Sequence, residues 1–190
     1  MYYISNRTEK TAKIIKNKKN IPYYVTAIAL FILLKLGFTH ANTDDLLFLL
    51  APTAKLVELL TGSQAIYMTG NGYYFENLNI IIEKSCSGFN FGILCFILFT
   101  YLVLKYFNKQ SHKIGTFSMA LICAYLLAIF SNTSRIIASV VVRNQTINFL
   151  HNQQYILHEA VGIITNLSFL ILAYYLIDKF LKQKYHAKYT

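Results

Sequence analysis

A chain of 190 residues, 55% of them hydrophobic, with a mean hydropathy of +0.42, gathers its apolar residues into runs too long for a soluble domain and reads as a single integral membrane domain. The formal charge of +10 is spread in a way that argues against nucleic acid. Thirteen of the 18 Lys and Arg flank apolar runs, in 1–21, 105–113 and the tail beyond 178, as cytoplasmic basic segments do.

The basic segment 1–20 leads into a first apolar run, Ile21–Phe38. No small-x-small cleavage site precedes Lys35 and Gly37, so this run is expected to be a retained signal-anchor. Residues 44–61 are apolar too, but they contain Pro52, Lys55 and Glu58. A full crossing there would invert everything downstream. The expectation is an interfacial or re-entrant helix on the outer side, capped by Thr43 with Asp44 and Asp45 in its first turn. In residues 65–85, Gly70-Asn71-Gly72 separates two stretches rich in Ile and Tyr, which predicts a β-hairpin whose second strand leads to Cys86.

Three more runs are long enough, or nearly so, for a crossing of about 20 residues. They are Gly88–Phe107, Ile114–Phe130 with some extension, and Ala160–Ile177. With the basic N-terminus in the cytoplasm, all three basic clusters fall inside, and Asp44, Asp45, Glu58, Glu76, Glu83 and Glu159 fall outside. The fold class expected is an all-α integral membrane protein of about four to six transmembrane helices, with a short extracytoplasmic β-hairpin and an interfacial helix. Residues 1–20 and 178–190 are its cytoplasmic ends, 44–85 its extracytoplasmic part, and 86–177 carry the residues of chemical interest.

Those residues reach one level. Cys86 is expected at the outer start of the second span, Arg135 near the outer end of the third, and His158 at the outer start of the fourth. A helix N-terminus favours a nucleophilic thiolate and a neutral histidine base. Ser87 and Gly88 leave a peptide room to approach. Arg135, near a helix C-terminus, suits the stabilisation of a thiolate or of a developing oxyanion, and Asn132 shares its face and can orient it. Each has a plainer reading by itself: an interfacial cysteine, a snorkelling arginine, a histidine at a helix start. Cys95 and Cys123 lie within apolar runs, where cysteine acts as a small hydrophobe, and an odd count of three leaves Cys86 a free thiol. His158-Glu159 begins an H-E-x-x-H pattern, but its fifth position is Gly162, so no metal site is expected there and no cofactor is implied.

With these stretches in view, the sequence resembles the exosortase/archaeosortase family of membrane-embedded protein-sorting enzymes. The resemblance rests on Cys86 in CSGFNF, on Asn132 and Arg135 in NTSRI, and on His158 and Gly162 in HEAVG, in the family's order; it spans Tyr73 to Ile177. It implies a membrane cysteine transpeptidase or peptidase with Cys86 as nucleophile, His158 as general acid/base and Arg135 as electrostatic stabiliser. The partners implied are exported precursors ending in a short motif, a transmembrane helix and a basic tail, together with an acceptor and membrane lipid. The place implied is the cytoplasmic membrane of a prokaryote, with the site facing outward. Phe89-Asn90 stands where the family often has an aliphatic-arginine pair, and the chain is short, which suggests a compact subgroup such as exosortase K. The rival class is a non-catalytic assembly or scaffold subunit. A transporter is disfavoured, because no charge is expected mid-span and no inverted repeat appears.

Overall fold

The structure, a computed structural model, describes residues 2–106, 110–145 and 151–186, with side chains at 21–106, 115, 117–143 and 159–183. Its elements in order are α1 (Tyr2–His40), α2 (Leu47–Thr61), β1 (Ile66–Met68), β2 (Gly72–Phe75), β3 (Ile80–Ile82), α3 (Phe89–Tyr106), α4 (Gln110–Gln145) and α5 (His151–His186). One-turn 3-10 helices at Asp44–Leu46 and Lys84–Cys86 precede α2 and α3. Among the described residues, four stretches are long and apolar enough to cross a membrane: Ile21–His40, Lys84–Tyr106, Phe117–Arg143 and Glu159–Gln183. The third reaches 13 residues beyond Phe130, so Arg135 lies within an apolar stretch and not past its end. The helix continues because "SNTSRIIASVVVR" contains no Pro or Gly to end it.

Side-chain contacts give the helix directions. Lys35 and Phe38, late in α1, meet Asn90 and Phe89 at the start of α3. Gly88, just before α3, meets Asn132 late in α4, and Ser131 meets Asn166 in the first half of α5. At the other end Lys105 and Tyr106 of α3 reach Asp178 of α5 at 2.8 Å. Successive long helices are therefore antiparallel, and α2, the sheet and Cys86 share one end.

α3 is the central helix, with 56% of its apolar stretch buried against 6% for α1 and 11% for α5. Phe91, Cys95, Phe96 and Phe99 pack on Ala120, Ala124 and Ala128 of α4 and on Ala173 of α5. Small residues four apart on α4 let the two backbones approach, which is how apolar helices gain contact where water supplies no driving force. Gly92 belongs to this seam, since a Cβ there would stand 3.2 Å from that of Ala128.

A second core lies at the Cys86 end. Leu46, Leu50, Ala54 and Val57 from the α2 region, Phe75, Ile82 and Ile136 form it, and Cys86 and Phe89 flank it. Pro52 has no N–H for the carbonyl of Phe48. The Tyr125 hydroxyl of α4 takes that place, donating to Phe48 O at 2.7 Å. The expected Thr43 cap does not form: Thr43 makes no side-chain cap bond, and Asp45 accepts from Asn42 N–H at 2.8 Å. Asp44 instead holds the sheet, accepting from Tyr67 Oη at 2.8 Å and Gly70 N–H at 3.0 Å. That bond to Asp44 pushes the Tyr67 phenol above its ordinary pKa.

The predicted hairpin is β1 and β2, but the sheet has a third antiparallel strand in the order β1-β2-β3. The β2–β3 turn uses Asn79 at φ 47, and Asn tolerates the left-handed region. β3, not β2, leads the chain into Cys86. Gly72 has to be glycine, because at φ 94 a Cβ would collide with the carbonyl of Ile82 on β3.

Candidate functional site

Cys86 closes the Lys84–Cys86 turn, with its N–H on Glu83 O at 2.9 Å and Ser87 N–H on Lys84 O at 3.1 Å. The thiol is half-buried and unpaired. Gly88, at φ 70, redirects the chain into α3 and accepts Gly92 N–H at 2.9 Å. Gly88 is therefore the residue that opens the helix, and Cys86 stands two residues before it, outside the first turn where a helix dipole acts most strongly. Ser87 is buried, and its hydroxyl accepts Phe89 N–H at 3.4 Å. A Cβ at Gly88 would stand 3.1 Å from Asn132 Cβ and 3.4 Å from Ala128 O. Ser87 and Gly88 thus seat the turn against α4, with Ser87 buried and Gly88 half-buried. On the exposed side, Ser85 Oγ lies 3.7 Å from Cys86 Sγ and donates to Glu83 at 3.0 Å.

Asn132 does not bond Arg135. Its amide donates to the backbone carbonyl of Cys86, tying the thiol's residue to α4. One turn on, Arg135 lies along α5: a Cβ on Gly162 would stand 3.3 Å from Arg135 Cδ and 3.9 Å from Nη1. Arg135 lies ten residues before the end of α4, so a C-terminal dipole does not explain it. Its Nε is buried with no acceptor among the described residues.

His158 lies in α5, seven residues after its first residue His151, not at a helix start as expected. The polar stretch "HNQQYIL" supports helix ahead of it, and the dipole effect fades within the first turn. Its side chain lies outside the described residues. Its backbone position is one turn before Gly162, and residues four apart share a helix face. The turn bearing His158 therefore adjoins the bare glycine against which Arg135 lies.

Reading the sequence alone missed Ser131, Asn166, Lys84 and Arg143. Ser131 donates to Asn166 at 3.0 Å, and face arithmetic would have found both, since Asn166 is four residues after Gly162 and Ser131 four before Arg135. Arg143 donates to Asn79 O at 3.1 Å and to Leu78 O, clamping the β2–β3 turn. No local signal announces that contact, which joins residues 64 and 65 apart. Among the described residues no three His, Cys, Asp or Glu side chains group as a metal site.

The chain matches no model of a known protein family, no curated protein and no solved structure. The chemistry of the site therefore rests on its own residues: a free thiol whose backbone carbonyl is bonded to Asn132, an arginine whose buried Nε has no acceptor among the described residues, and Gly162 of α5 against which that arginine lies, one turn after His158.

Proposed function

We propose that the protein is a membrane-embedded cysteine enzyme of the exosortase kind, cleaving the C-terminal sorting signal of exported proteins at the outer face of a prokaryotic cytoplasmic membrane and transferring them to an acceptor. The observation that carries this reading is the α4 segment 132–135. It binds the backbone of Cys86 through Asn132, and through Arg135 it lies against Gly162 of α5, one turn after His158.

In the reaction, His158 takes the Cys86 proton and the thiolate attacks the scissile carbonyl carbon, forming a C–S bond. Arg135, packed on Gly162 and with its buried Nε lacking an acceptor among the described residues, stabilises the oxyanion that develops. The C–N bond then breaks, and His158 returns the proton to the leaving amine. Attack on the thioester by an acceptor amine, or by water, frees the enzyme. A substrate whose tail is itself a membrane helix docks laterally and brings its scissile bond to the level of Cys86.

The test is processing of an exported reporter carrying a C-terminal motif, an apolar helix and a basic tail, taken from a gene neighbouring this one. Cys86→Ala abolishes the mobility shift while Cys95→Ala, altered in a buried packing residue, retains it at equal abundance. Equal processing by both variants would return the chain to the scaffold reading.

A further inference from the structure

The turn carrying Cys86 is gripped from two sides. On one side is Asn132 of α4. On the other is Lys84, two residues before the thiol. Its ammonium donates to Ala41 O at 2.7 Å and Thr39 O at 3.3 Å, carbonyls at the end of α1 left without helical partners. The same ammonium lies 5.0 Å from the centroid of Phe38, whose ring stacks on Phe89, the first residue of α3, at 4.9 Å and 7°. The carbonyl of Lys84 also accepts the Ser87 N–H that closes the turn. Lys84 therefore both closes the turn and locks it to α1.

We infer that Lys84 is a positioning residue for Cys86, fixing the thiol between the end of α1 and Asn132 of α4; this deepens the proposed cysteine chemistry and rests on it. A nucleophile displaced by 1 Å can lose about a hundredfold in rate, so the hold on this turn bears directly on turnover. The ammonium is committed to two carbonyls and a ring, so its part is mechanical, not a charge offered to the thiol.

The experiment compares wild type, Lys84→Met and Lys84→Arg in membranes. Alkylation of Cys86 by a small neutral maleimide is followed by peptide mass spectrometry, with the buried Cys95 as internal control. Lys84→Met, which keeps the stem and removes the donors, is expected to alkylate at Cys86 about threefold faster as the turn loosens, with Cys95 still protected. Reporter processing falls about tenfold in kcat with KM little changed, and Lys84→Arg restores both readouts. An unchanged or slower alkylation of Cys86 overturns the inference, since the turn then does not depend on Lys84. Reactivity appearing at Cys95 as well overturns it too, by showing general loss of packing. The alkylation result stands whatever the reporter shows, whereas equal processing by Cys86→Ala sinks the enzyme reading alone.

Discussion

Five of the Lys and Arg residues lie outside the three basic clusters, and all five belong to the Cys86 half of the molecule. Four are engaged: Lys35 with Asn90, Lys55 with Glu58, Lys84 with the α1 carbonyls and Arg143 with the β2–β3 turn. Arg135 differs, since its Nε is buried with no acceptor among the described residues. A buried donor without an acceptor is unfavourable, by about 1–3 kcal/mol, unless something else uses it. Arg135→Gln is accordingly expected to lower reporter processing about a hundredfold with abundance kept, the scale of a lost oxyanion donor. Processing within about twofold of wild type would remove Arg135 from the chemistry. The two glycines of the site differ in kind. At Gly162 an added methyl meets the flexible end of Arg135 and improves helix propensity by about 1 kcal/mol, so Gly162→Ala keeps abundance while displacing Arg135 and lowering turnover. At Gly88 it meets Asn132 and the Ala128 carbonyl with φ at 70°, so Gly88→Ala loses about 2 kcal/mol and both thermal stability and processing fall together. Unfolding midpoints in detergent, set beside rates, separate the two.

At the scale of elements, α2 is fastened to α4 by a bond that exists because of Pro52. Tyr125→Phe removes the donor to Phe48 O and is expected to lower stability by about 1 kcal/mol. Pro52→Ala supplies an N–H at that position, so the same Tyr125→Phe change is expected to cost less in a Pro52→Ala background, a coupling that a double-mutant cycle in thermal unfolding measures. Full additivity would mean that the two groups do not share the carbonyl. The sequence made α2 legible through its apolar run, its proline and its polar pair, and the hairpin through Gly70-Asn71-Gly72. β3 escaped because Ile80–Ile82 is three residues long and shows no alternation; its pairing with β2 makes it a strand, and Arg143 holds the turn before it. The ends of α4 and α5 escaped for the opposite reason. Apolar runs report where a helix meets lipid, but polar stretches free of Pro and Gly carry it further, so His158 lay within a helix where an end was expected. The order of Cys86, Arg135 and His158 along the chain was legible; the bond from Asn132 to Cys86 and the packing of Arg135 on Gly162 were not, since those contacts depend on how α4 sits between α3 and α5.

For the whole molecule, charge and packing give the same division. The sheet, α2 and Cys86 lie at one end of the antiparallel helices, while Lys105 and Asp178 lie at the other, next in sequence to the basic cluster 105–113 and the basic tail. Basic segments are retained on the cytoplasmic side, and isolated cations at the opposite end are tolerated when they are bonded, as Lys35, Lys55, Lys84 and Arg143 are. Asn71 is exposed at the β1–β2 turn and Lys179 is exposed late in α5; the proposed orientation requires the first to face outward and the second to face the cytoplasm. In a Cys86→Ala background, Asn71→Cys is expected to react with a membrane-impermeant maleimide in intact cells, and Lys179→Cys only after the membrane is opened. The reverse pattern would put Cys86 on the side where an exported precursor is never found after translocation, and sorting at that thiol would then be untenable whatever the geometry around it.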